Sequence, residues 1–199
     1  MIRTLTLAAL AAALAAPMAQ AQGTAAPRSK APVRPSAGQA GVNDTLFAEA
    51  AAIGGLAEVT LSQLGVQKAT DPELKKFSQQ MVDEHTRMNG ELTTLATQKR
   101  IPLPRAVDPR AQFCAQSLAG LSGKEFDRCY AKAQLVAHMD SVAMFEAEAE
   151  RGMDPDIKAL AAKSLPRIKD HLKMIKPIAE RYEQEKPSTA GSASEKHEK

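Results

Sequence analysis

The chain has 199 residues, enough for one domain with flanking segments. Its formal charge is +3 with acids and bases interspersed, tryptophan is absent and aromatics make up 4% of the sequence, which excludes the basic footprint and the stacking platforms of a nucleic-acid binder. Alanine, leucine, lysine, glutamate and glutamine are abundant and favour helices.

Residues 1–21 read as a signal peptide and not as structure. Arg3 supplies a positive n-region, LTLAALAAALAA an apolar h-region too short to span a bilayer, and Ala19-Gln20-Ala21 an A-x-A cleavage site. The expected mature chain starts at Gln22 and is periplasmic or secreted. No cysteine follows the cut, which argues against a lipid anchor. No later apolar run approaches the roughly 20 residues of a membrane helix, so no transmembrane segment is expected. Residues 22–42 are rich in Pro, Ala, Gly and Ser and read as a flexible linker. The helical domain is expected over 43–184. A polar tail follows over 185–199, and His197 lies in it.

The first helix begins near Asn43-Asp44, either of which suits an N-cap. Phe47, Ala51, Gly54, Glu58, Leu61 and Gly65 share one stripe, and Gly54-Gly55 suggests close approach of a neighbouring helix. The second starts at Thr70-Asp71-Pro72-Glu73, with a capping side chain, a first-turn proline and an acid at the positive dipole end. Its stripe is Leu74, Phe77, Met81, His85, Met88, Leu92 and Leu95, and Pro102 and Pro104 stop it. A short helix over Asp108 to Ala119 precedes the third long helix, Lys124 to Arg151, whose face carries Phe126, Tyr130, Gln134, His138, Ser141, Phe145 and Ala149. The fourth opens with Asp154-Pro155-Asp156, so that MDPDIKAL repeats TDPELKKF. It carries Ile157, Leu160, Ser164, Ile168, His171, Ile175, Ile178 and Tyr182, with Pro166 and Pro177 inside. Two helical hairpins with similar joints and apolar stripes bury themselves best as an all-α four-helix bundle.

Glu58 lies 13 residues before Asp71 and His85 14 after it, while His138 lies 16 before Asp154 and His171 17 after it. In an antiparallel hairpin, equal distance from the turn is equal height. At 1.5 Å per residue each pair is level to within about 2 Å, and the two pairs differ by about 4.5 Å if both joints share one end. One carboxylate and three imidazoles on inward stripes make a candidate site for a transition metal, Cu, Zn or Fe. Met81, Met88 and Met174 stand nearby as secondary, softer candidates that would favour copper, with ordinary core filling as their other reading. A metal-free Glu–His cluster that fixes helix register is the other reading of the polar core.

No Glu-x-x-His pair appears, since Val82 and Ile168 precede His85 and His171 by three residues, and this disfavours di-iron carboxylate chemistry. Glu84 and Asp170 directly precede histidines and so stand about 100° round the helix, suited at best to supporting a ligand or facing solvent. Cys114 and Cys129 lie 7 residues either side of the Leu121-Ser122 turn, so a disulfide and two free thiols both stand open. No nucleophile–base pair is visible, which disfavours an enzyme.

The segments GGLAEV, QKA-DPELKKF, MV-DEH, LSG-x-x-FDR-x-Y, His138 and LP-x-x-x-x-HL together resemble the exported bacterial family catalogued as domain of unknown function 4142, over about Phe47 to Ile178. That resemblance implies a ferritin-like four-helix bundle with no established activity. Met81, His85, Met88, His171 and Met174 are also similar to a second exported ferritin-like family associated with copper handling. The chain departs from the first family's pattern at Glu84, where Asp is common, and at Ala137, where an acid precedes the histidine. Two functions follow as expectations: a periplasmic metal-binding bundle with Glu58, His85, His138 and His171 as ligands, or a structural or interaction protein with an envelope partner.

Overall fold

The computed structural model describes residues 40–185, and within them every regular element is helical: α1 (Val42–Lys68), α2 (Pro72–Lys99), α3 (Pro109–Ala119), α4 (Gly123–Arg151) and α5 (Pro155–Gln184). The expected signal peptide, most of the linker and the tail beyond 185 lie outside the described residues.

The two Asp-Pro joints act as the sequence suggests. Asp71 accepts from the backbone N–H groups of Glu73 and Leu74 at 2.8 and 3.4 Å, and Asp154 from those of Asp156 and Ile157 at 3.0 and 3.1 Å. Each aspartate thereby satisfies two donors that a helix start leaves free. The first helix departs from expectation. Gly41 is its N-cap, and Asp44 serves from inside the first turn by accepting the Gly41 N–H at 2.9 Å.

α1 packs along α2 and α4 along α5. Contacts of α1 with α4 and of α2 with α5 join the pairs, and α3 lies against α1 and α4. One apolar cluster gathers Leu74, Phe77, Met81, Phe126, Tyr130 and Ile175, and another Phe47, Leu92, Phe145, Ile157 and Ile168. By length and composition alone α1 is apolar enough to cross a membrane, a test that a buried core helix also passes. Its inner face nonetheless carries Asp44, Glu58 and Ser62, all buried against other helices.

The glycine expected to admit a neighbour is Gly55 and not Gly54. A Cβ on Gly55 would stand 1.9 Å from Asn89 Oδ1, whereas one on Gly54 would meet nothing within 4 Å. Gly65 is enclosed as well, since a Cβ there would lie 2.2 Å from Ser78 Oγ and 2.6 Å from the Tyr130 ring.

The repeat at the joints runs through both helix pairs at a constant interval of 83 residues. Asp44 accepts the N–H groups of Met153 and Asp154 at 2.7 and 3.1 Å, tying α1 to the joint of the other pair. At the matching position, Asp127 accepts the N–H groups of Thr70 and Asp71, each at 3.0 Å, together with the Thr70 hydroxyl. Phe47 stacks edge-on with Phe145 at 5.0 Å, and their counterparts Tyr130 and Ser62 are joined by a hydrogen bond of 3.3 Å. Glu84 and Arg167, which also match, pair with each other at 3.0 Å.

Beside Asp44, the buried Glu148 has an Oε1 with no partner. Burial first, then the Asp44 carboxylate beside it, pushes its carboxyl up to about 7. A raised carboxyl favours the folded state at low pH, and that contribution is lost as pH rises from 4.5 through about 7. Glu148→Gln is therefore expected to be near neutral at about pH 5 and to stabilise by roughly 1–3 kcal/mol at about pH 8, read from urea unfolding at the two pH values.

Candidate metal centre

Each histidine reaches the interior because it occupies an apolar-stripe position on a different helix: His85 on α2, His138 on α4 and His171 on α5. They are 6%, 1% and 0% exposed. One ring nitrogen from each lies within 4.8 Å of the other two. Ring centroids stand 5.8, 5.3 and 5.4 Å apart, a nearly equilateral triangle, and the interplanar angles of 78°, 46° and 78° are not those of a stack. Imidazole nitrogens sharing a tetrahedral ion stand roughly 3.4 Å apart, so these donors are within about 1.5 Å of ligand spacing.

The outer nitrogens decide the tautomers. His138 Nδ1 donates to the Gln134 backbone carbonyl at 2.9 Å, and His171 Nε2 donates to Glu84 Oε2 at 2.7 Å. Both partners only accept, so the proton sits on the outer nitrogen and the inner one keeps a bare lone pair. The nitrogens left without a partner are His138 Nε2, His171 Nδ1 and His85 Nε2. Buried acceptors without donors are costly unless something positive is shared among them.

Burial favours the neutral form of His85 and His171. Burial, then the neighbouring His138 and His171, pushes His85 down to about 3 against the pull of Glu84. Burial also lowers His171, opposed by its hydrogen bond to Glu84. Burial would raise Glu84, but hydrogen bonds from His171, Arg167 and Gln80 outweigh it and hold the carboxyl at about 2. Neutral imidazoles are the form that binds metal.

Glu58 stands apart from the three. Its Oε1 is 4.0 Å from His138 Nδ1, the outer nitrogen, and its Oε2 has no partner. Distance from the turn gives height along the helix, but the direction around it puts this carboxylate behind the His138 ring. Burial raises its carboxyl, opposed by the neighbouring His138. Met81 packs inside the first apolar cluster, Met174 borders it and Met88 borders the second. Asp170 faces solvent and pairs with Lys173 at 3.2 Å.

Glu84 does more than its position beside His85 suggested, because it reaches across to His171 on α5. Gln134 was legible only as a polar residue one turn before His138. Its carbonyl holds His138, and both side-chain atoms are buried without partners. Cys114 on α3 and Cys129 on α4 are free thiols and not a disulfide. Their equal heights left the direction of each Cβ open, and both line one cleft between α1, α3 and α4.

Residues 29–178 match the family model described as domain of unknown function, DUF4142. The chain belongs to the DUF4142 family. The match begins inside the segment read as linker and takes in all three histidines. A comparison of this DUF4142 chain with curated proteins finds no match. Among solved structures it is similar to a DUF305 fragment from Deinococcus radiodurans, with a TM-score of 0.64 and 10% identity over 72% of this chain and 99% of that one. That likeness is one of fold.

Proposed function

We propose that this DUF4142 protein is an exported, ferritin-like bundle of two helical hairpins that holds one transition metal ion, Cu, Zn or Fe, on His85, His138 and His171. It binds or buffers the ion and does not turn over a substrate. The observation that carries this reading is the set of three buried, unpartnered imidazole nitrogens on separate helices, two of them with tautomers set by outer acceptors. The N-terminal Arg3, apolar run and A-x-A site support export.

A second reading is a metal-free interaction protein of the envelope whose polar core fixes helix register. The Glu84–His171 and Glu84–Arg167 contacts favour it, because they join α2 to α5 without any ion.

Zn(II) titration of the purified full chain, followed by calorimetry and thermal unfolding, separates the two. The metal reading expects one equivalent bound and, at about 100 times Kd of free ion, stabilisation of about 2.7 kcal/mol. The second reading expects no stoichiometric uptake and an unchanged Tm.

A further inference from the structure

Histidines as buried as these need a route for whatever they bind, and two cavities mark one. The outer is a cleft of about 590 Å³ between α1, α3 and α4, within the range of small-molecule sites. The inner is about 40 Å³ and is bordered by His85, with room for roughly two or three waters. Gly54, Glu58, Ser141 and Met144 line both, so these residues form the wall the cavities share.

The donors along this line run from exposed to buried. Asp140 is 66% exposed in the outer cleft, the Cys114 and Cys129 thiols are half-buried on its walls, and Met144 and Glu58 stand in the shared wall. Beyond them is His85. Glu58 Oε2 is buried without a partner in that wall, and its Oε1 is 4.0 Å from His138. On the α2–α5 side, by contrast, Glu84 is already committed to Arg167 and His171. The opening exists because α1 and α4 face the cleft with small residues, Ala50 and Gly54 on one and Ala133 and Ala137 on the other.

We propose that the α1–α4 cleft is the entrance by which a transition metal ion reaches the three histidines, and that Glu58 hands the ion through the wall as a transient oxygen donor. This rests on the metal-binding reading and gives Glu58 a role other than resident ligand. Arg110 and Lys132 offset the carboxylates of the cleft, so the route selects by donor type and not by a strong field. Thiols and a thioether before the imidazoles suit a late first-row ion, copper or zinc.

Gly54→Leu tests it. A Cβ there meets nothing within 4 Å, and losing a glycine from a helix interior favours the helix, so the variant narrows the wall without unfolding the chain. Stopped-flow uptake of Co(II) by the full chain, read from its visible absorption, is expected to slow by about 10-fold or more, with affinity within about 3-fold of the parent, because a narrowed entrance acts on rates in both directions. Capping Cys114 and Cys129 with a small methanethiosulfonate should also slow uptake, reversibly with reductant, and should do nothing in a Cys114→Ser/Cys129→Ser double variant. Unchanged uptake rates in both the Gly54→Leu and the thiol-capped proteins would overturn the entrance while leaving the metal site standing. Failure of the parent chain to bind Co(II) at all would overturn both.

Discussion

Replacing His138 with alanine is expected to weaken Zn(II) binding by about 100-fold or more, because a three-imidazole site keeps only two donors on the same ion. Glu84→Gln should cost about 10-fold to 100-fold, although Glu84 supplies no ligand atom. Its carboxylate fixes the proton on His171 Nε2 and leaves Nδ1 bare, whereas an amide can present a donor there and admit the wrong tautomer. Glu58→Gln should change equilibrium affinity by less than about 3-fold, since the carboxylate sits behind the His138 ring. Calorimetric titration of the three variants measures this order. Urea unfolding of the same proteins separates lost ligation from lost folding, because His138→Ala also empties a buried position. Equal affinity in parent and His138→Ala would move the histidines to the register-fixing reading. A Glu58→Gln loss as large as that of His138→Ala would return Glu58 to the ligand set.

That ordering differs from the one the sequence implies, and the difference has a geometric cause. Counting residues from Asp71 and Asp154 gives height along a helix, and height was enough to bring His85, His138 and His171 to one level. The apolar stripes gave rough direction, enough to turn the three rings inward. They did not resolve which side of the His138 ring Glu58 would meet, nor whether the Cys114 and Cys129 Cβ vectors would oppose one another. Glu84 was discounted because it lies off the stripe of its own helix, yet that flank faces α5 and makes it the partner of His171. The joints were legible because a capping aspartate followed by proline acts within one turn. Asp44, Asp127 and Glu148 were not, because their partners lie far away in sequence or, for Glu148, across a helix pair. Only in three dimensions does the 83-residue repeat hinted at by TDPELKKF and MDPDIKAL become a matched set of ties between the pairs.

The strongest of those ties is expected at Asp127, where substitution by alanine should destabilise the protein by about 2–3 kcal/mol, the cost of three hydrogen bonds lost to one buried carboxylate. The carboxylate is 1% exposed and accepts from the N–H groups of Thr70 and Asp71 and from the Thr70 hydroxyl, all ahead of the first helical residue of α2. Alanine leaves those donors without the carboxylate, and because Thr70 is exposed and Asp71 half-buried, water takes over part of what is lost, out of about 1–3 kcal/mol for a donor left fully unsatisfied. The loss does not stay local. Asp71, whose N–H is one of those released, also receives the Tyr182 hydroxyl at 3.0 Å and pairs with Arg181 near the end of α5. Loosening Asp127 therefore loosens the point where α4, α5 and the α1–α2 joint meet. Asp127→Asn keeps an acceptor and the shape, so it should cost less than half as much, and urea unfolding midpoints with unchanged m-values would measure the difference. The metal site lies at another level of the helices. Zn(II) affinity per folded molecule should then stay within about 3-fold of the parent in Asp127→Asn, because mutations at separated sites add nearly independently. If both substitutions cost less than about 1 kcal/mol, the joint is held by the Asp71 cap alone, and the matched pairing of Asp44 and Asp127 across the repeat has no energetic weight.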